Sequence, residues 1–174
     1  MSNNEICFIT GSCGAGKTSV LELLKSKLSK ELYDFHDLDE RGFKPIEGWI
    51  EGELQYFKEQ AENKLKEGIT TFISGFSRPA EILDPLQDNN HLKIILLHAS
   101  PEVIRARIMG RYPSEESKDI FLKKHNKTVE KFADDNANYV LKLKKDFELY
   151  PIYTINTDNI GLEEVAQKII ELIK

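Results

Sequence analysis

Apolar residues recur along this chain in two alternating rhythms, short unbroken runs and stretches spaced by three and four. Ile6-Cys7-Phe8-Ile9-Thr10 is a run of the first kind, suited to a strand buried on both faces. Val20, Leu21, Leu24 and Leu28 then follow the helical spacing, which predicts a helix over 19–30. Residues 33–37 read as a strand ending in acidic side chains, and a turn carrying Gly42 and Pro45 leads to a helix over about 47–67, stopped by Gly68. Residues 69–73 form the third predicted strand, broken by Ser74-Gly75. The fourth, 92–98, is the most apolar and is expected at the centre of the sheet. Pro101 opens a helix reaching Arg111, in the first helical position where proline is tolerated. A polar loop over about 112–118 has the length of a short lid. Val129, Phe132, Ala133, Asn136, Val140, Leu143 and Phe147 then mark one face of a long helical pattern, with Asp134 to Asn138 as a possible bend. A strand over 151–155 and a helix over 162–174 close the chain. Five strands alternating with helices predict one α/β domain over 1–174, a five-stranded parallel sheet between two helical layers.

In such a sheet ligands gather beyond the carboxyl ends of the strands. Just after the first strand stands Gly11-Ser12-Cys13-Gly14-Ala15-Gly16-Lys17-Thr18, followed by Ser19. Its spacing is G-x-x-x-x-G-K-[ST], between a strand and a helix as that motif requires. A glycine loop opening a helix points successive N–H groups and the positive helix end at one spot, which suits phosphates. The segment 11–19 is therefore the candidate nucleoside-triphosphate site, with Lys17 reaching the β- and γ-phosphates and the Thr18 hydroxyl holding Mg²⁺.

The other strand ends carry a second tier of candidates. Asp37 and Asp39 are two apart in an extended segment and can face one side. Asp37 is the candidate for holding Mg²⁺ or taking the acceptor's proton, Asp39 for gripping the acceptor; two solvated turn aspartates remain the alternative. Arg107 and Arg111 share a helix face and could close over a triphosphate to neutralise developing charge, or could be merely solvated. Arg105 points elsewhere and is expected to pair with a carboxylate. All five arginines, Arg41 and Arg78 included, lie at strand ends or near the 112–118 loop. On the 47–67 helix, Ile50, Leu54, Phe57, Ala61 and Leu65 form the core face, and Trp49, Glu53, Tyr56 and Gln60 a mixed face. That mixed face could recognise a polar ring-shaped acceptor or be a half-buried surface. His36 and His98 are expected to be structural, and Cys13 a small tolerated side chain.

Composition narrows the partners. With 174 residues, 40% hydrophobic and 30% charged, the chain suits one soluble domain. A net charge of −5 without a basic block argues against a nucleic-acid surface. No run reaches the length of a membrane span, and the first apolar run is too short for a signal peptide. Cys7 and Cys13 make neither a zinc spacing nor a disulfide framework, so a reducing cytoplasm is expected. The oligomeric state stays open.

With these residues in place, the chain resembles the P-loop small-molecule kinases, among them nucleoside monophosphate (adenylate) kinases and shikimate- and gluconate-type kinases. Ser74-Gly75-Phe76-Ser77-Arg78 resembles the adenylate-kinase segment Asp-Gly-Phe-Pro-Arg, whose arginine binds the acceptor phosphate. Arg107-Ile108-Met109-Gly110-Arg111 resembles the segment opening their lid. Asp37-Leu38-Asp39 resembles the Asp-x-Asp of shikimate-type kinases. The resemblance implies a three-layer α/β/α P-loop fold, the cofactors ATP and Mg²⁺, and a small-molecule phosphoryl acceptor. Arg78 suits an anionic acceptor, whereas Asp37 and Asp39 suit a hydroxyl. Departures accompany it: Ser74 stands for an aspartate, no arginine follows Arg111, and the glycine triplet of shikimate kinases is absent. A GTP-dependent switch would need Asn-Lys-x-Asp, which Asn126-Lys127-Thr128-Val129 lacks.

Overall fold

The computed structural model describes residues 4–42, 47–86 and 91–173, so the turn expected at Pro45 lies outside the described residues. In chain order the elements are β1 (Ile6–Thr10), α1 (Lys17–Lys27), β2 (Tyr33–Asp37), α2 (Trp49–Lys66), β3 (Thr70–Ser74) and α3 (Pro79–Leu86). Then come β4 (Leu92–His98), α4 (Pro101–Gly110), α5 (Glu115–His125), α6 (Val129–Phe147), β5 (Tyr153–Asn156) and α7 (Leu162–Leu172). The strands form one parallel sheet in the order β2-β3-β1-β4-β5.

Alternation along each strand sorts side chains into two cores. From β1 and β4, Cys7, Ile9, Ile95 and Leu97 enter the core shared with α1, α4 and α7. Their neighbours Ile6, Phe8, Ile94 and Leu96 face the opposite core, built on Leu54, Phe57 and Ala61 of α2. This is the three-layer α/β/α arrangement. α6 belongs to both layers: Val129, Ala133 and Val140 pack in the first core, Leu143 and Phe147 in the second. Its middle turns therefore pass over the cleft between the layers.

Several details differ from the sequence expectation. The central strand is β1, not β4; apolarity reports burial of both faces, which several strands share, and not rank in the sheet. α3 was not expected, because its eight residues include Pro79 and Pro85 and offer no long stripe. The loop at 112–118 is shorter, since α5 begins at Glu115 under a reciprocal capping box between Ser114 and Ser117. α5 and α6 are separate helices, parted where Asn126 takes the left-handed conformation and Thr128 caps α6. Asp134 to Asn138 leave α6 unbroken, with Asp134 and Asp135 in ion pairs to Arg105, Lys127 and Lys131.

Candidate active site

The loop after β1 needs its glycines for stated reasons. Gly11 has φ of 150°, and a Cβ there would collide with the Leu97 carbonyl oxygen, so only glycine lets the chain pass beneath β4. Gly16 caps α1 with φ of 97°. The first turn of α1 holds no acidic residue, which leaves its free N–H groups and positive end for an outside anion.

Lys17 folds back over this loop, its Nζ donating to the Gly11 carbonyl at 2.9 Å and the Ser12 carbonyl at 3.0 Å. Burial holds the ammonium below the ordinary lysine pKa, against the pull of Cys13, Asp37 and Asp39. The Thr18 hydroxyl donates to Asp37 Oδ2 at 3.4 Å. Asp37 Oδ1 accepts the Asp39 N–H at 3.0 Å, so the backbone fixes the carboxylate that faces Thr18. Asp37 N–H in turn donates to Glu40 Oε2 at 3.1 Å. His36 lies within 2.9 Å of Glu40 Oε1 and 3.0 Å of Asp34 Oδ2; it braces the turn and does not touch Asp37. Partial burial and the adjacent Asp37 charge push the Asp39 carboxyl above its ordinary value.

A cavity of about 410 Å³ gathers Gly14, Gly16, Lys17, Thr18, Ser19, Asp37, Asp39 and Arg111 with Cys13, Gly75 and Phe76. Two further residues line it from α6, Phe132 and Asn136. Sequence reasoning missed both as site residues. Asn136 did leave a signal, a polar residue on the apolar face of α6.

On the other flank of the loop lies a second cavity of about 350 Å³, largely apolar through Val20, Ile160, Leu162 and Val165. Arg107 and Arg111 both border it, but their roles divide. Arg107 donates to the Gly14 carbonyl at 3.3 Å, the Thr157 hydroxyl at 2.9 Å and the Thr157 carbonyl at 2.6 Å. It ties α4, the phosphate loop and the turn after β5 together, and it does not line the cavity of Asp37. Arg111 borders both cavities, its Nη1 donating to Cys13 Sγ at 3.3 Å.

Four expected acceptor residues stand apart from this cavity. Arg78 is held by Glu81 through its backbone N–H at 2.6 Å and its Nε at 2.8 Å, beside a separate depression with Glu51, Asp146 and Tyr150. Glu53 takes Arg41 at 3.4 Å, and the Arg41 guanidinium lies 3.8 Å over the Tyr56 ring. Trp49 is buried at the start of α2. The mixed face of α2 thus serves Arg41, a neighbour that periodicity alone does not reveal.

No family model matches the chain. A Pyrococcus abyssi protein provisionally named an adenylate kinase is 26% identical over 170 residues, covering 95% of this chain and 82% of that protein. Among solved structures, Acinetobacter baumannii shikimate kinase in complex with shikimate aligns with a TM-score of 0.62 and 19% identity, covering 99% of this chain and 94% of that one. Bacteroides thetaiotaomicron shikimate kinase aligns with a TM-score of 0.61 and 22% identity, covering 97% and 98%. This is the fold of a P-loop small-molecule kinase. Small-molecule P-loop kinases are thus the named relatives of this chain, and the two shikimate kinase alignments span 97–99% of it.

Proposed function

We propose that this chain transfers the γ-phosphoryl group of ATP to a small-molecule acceptor. The observation that carries the reading is the meeting of Asp37 and Thr18 at 3.4 Å in one cavity with Lys17. Phosphoryl transfer relies on positioning and charge neutralisation more than on covalent chemistry, and the cavity offers both. Lys17 would exchange its loop carbonyls for the β- and γ-phosphates, while Arg111, held against Cys13 of the same loop, adds a second positive charge. The apolar second cavity, with its guanidinium planes, suits the nucleoside base.

The donor set fits Mg²⁺, which favours hard oxygen ligands and completes its shell with phosphate oxygens and water. Thr18 Oγ1 and Asp37 would hold it, and the ion would supply charge neutralisation at the transferred group. Asp37 would also take the proton of the attacking hydroxyl, and Asp39 would orient the acceptor. No helix among the described residues is long and apolar enough to cross a membrane, and free cysteines at Cys7 and Cys13 suit a reducing cytoplasm. A nucleoside monophosphate kinase in the strict sense is a weaker second reading, because Arg78 is engaged by Glu81.

Incubation with ATP–Mg²⁺ and separate nucleosides, nucleotides, sugars, sugar acids and alcohols, read by mass spectrometry of the products, tests the reading. A phosphorylated product with matching ADP is the expected result. ATP turnover without transfer to any acceptor would replace it with a plain ATPase.

A further inference from the structure

The charges around the phosphate-loop cavity are unevenly shared between its two expected ligands. Lys17 and Arg111 are its only cations among the described residues, and both sit on the phosphate loop, against Gly11, Ser12 and Cys13. A triphosphate would occupy both. The groups left for the acceptor are Asp37, Asp39 and Asn136, with the rings of Phe76 and Phe132.

The remaining arginines are engaged elsewhere. Arg41 pairs with Glu53, Arg78 with Glu81, and Arg105 with Asp134, while Arg107 is committed to Gly14 and Thr157. The lysines flanking α5 are engaged as well, Lys118 with Glu115 and Lys127 with Asp135. With Asp37 engaged by the ion that the triphosphate carries, an acceptor phosphate or carboxylate would find no side-chain cation left for it and the Asp39 carboxylate facing it.

Hydrogen-bond polarity points the same way. Asn136 Nδ2 donates to the Phe132 carbonyl at 2.9 Å, which uses one of its two N–H groups and sets the amide so that its carbonyl oxygen is free to accept from a ligand. Carboxylates only accept when ionised. Asp37, Asp39 and the Asn136 side-chain oxygen outnumber the one remaining Asn136 N–H, so the acceptor side favours a ligand that brings hydrogen-bond donors.

Resting on the phosphotransfer reading, we infer that the acceptor is a neutral, hydroxyl-rich molecule, and that Asn136 determines specificity by accepting a hydrogen bond from one of its hydroxyls. In the transfer, the acceptor oxygen forms the new O–P bond and the bond from the γ-phosphorus to the β–γ bridging oxygen breaks. ADP leaves with that oxygen, and the hydroxyl proton passes to Asp37. Phe76 and Phe132 cover the apolar face of the acceptor.

Matched pairs test this: ribonucleosides against their 5′-monophosphates, and sugars against the corresponding sugar acids. Transfer is measured with ATP–Mg²⁺, and binding by ligand-observed NMR with a non-hydrolysable ATP analogue. The neutral member of the productive pair should show kcat/KM at least about 100-fold higher. Asn136→Ala should raise the acceptor KM about 10-fold with the KM for ATP unchanged, and Asn136→Lys should shift preference toward the anionic member. Preference of the wild type for the anionic member would overturn the inference and leave the kinase reading intact. So would an Asn136→Ala variant, folded by its melting curve, with an unchanged acceptor KM. Neutral ligands that bind through Asn136 without being phosphorylated would uphold the acceptor site and overturn the kinase reading. Failure of every pair both to bind and to react would overturn both.

Discussion

Thr18 and Asp37 meet at 3.4 Å across nineteen positions of sequence, a helix start reaching the end of the outermost strand on that side. β3 lies between β1 and β2, and Asp37 is in register with Ser74 of β3. Ser74 is fully buried and its hydroxyl has no hydrogen-bond partner among the described residues. A small neutral side chain at that strand end leaves room for the first turn of α1 to approach Asp37. Gly75 continues the clearance, because a Cβ there would strike Leu38. In the proposed phosphotransfer, Asp37 from β2 would do the work of the carboxylate that the resembling adenylate-kinase segment carries where Ser74 stands.

Lys17→Ala should reduce phosphoryl transfer by at least about 10³-fold without lowering the melting temperature. The folded-state pKa of Lys17 lies below its unfolded value, so the charged ammonium disfavours folding at neutral pH. Its removal should hold or raise Tm between pH 6 and 8. Calorimetry beside an activity assay checks this; a loss of several degrees would mean that the two loop carbonyls depend on Lys17 for folding.

Asp39→Asn should stabilise the fold modestly while weakening acceptor binding. A carboxyl raised in the folded state costs stability as pH rises from the unfolded pKa through the folded one, and the cost is absent at lower pH. The gain should be at most about 1–2 °C at pH 7, given its solvent exposure, and should vanish below pH 4. Thermal melts across that range decide it; destabilisation at pH 7 would contradict the stated electrostatics.

The two arginines of α4 should part in their phenotypes. Arg107 makes three hydrogen bonds joining Gly14 and Thr157, so Arg107→Ala should lower Tm by about 3–6 °C and weaken ATP binding. Among the described residues Arg111 donates only to Cys13 Sγ, so Arg111→Ala should lower kcat about 10²-fold with little change in Tm. Identical effects from the two variants would deny the division of labour.

Much of this was legible from residue order. β1 and β4 fall on the apolar runs, since strands buried on both faces announce themselves as unbroken runs, whereas β2, with only Phe35 buried, lies on the segment read as a strand ending in acidic side chains. The phosphate loop was legible because its motif dictates its own geometry. The companions of Arg78 and of the Trp49, Glu53 and Tyr56 face were not. Glu81 is a local partner of Arg78, but the choice between it and a ligand depends on the start of α3, an element without a helical stripe. Arg41 reaches Glu53 and Tyr56 across a turn, a contact set by tertiary rotation of α2. Asn136 entered the site for the complementary reason: α6 bridges two cores, and its middle turns cross the cleft.

Asp37→Asn tests the account at its centre, since it keeps the side-chain shape and removes the charge. Phosphorylated product and the dissociation constant for ATP should be measured together for the variant and the wild type, with the best acceptor from the screen. We expect transfer to fall by about 10²–10⁴-fold with ATP affinity within a few-fold of wild type. Undiminished transfer by Asp37→Asn would contradict the assignment of the carboxylate facing Thr18 to the chemistry.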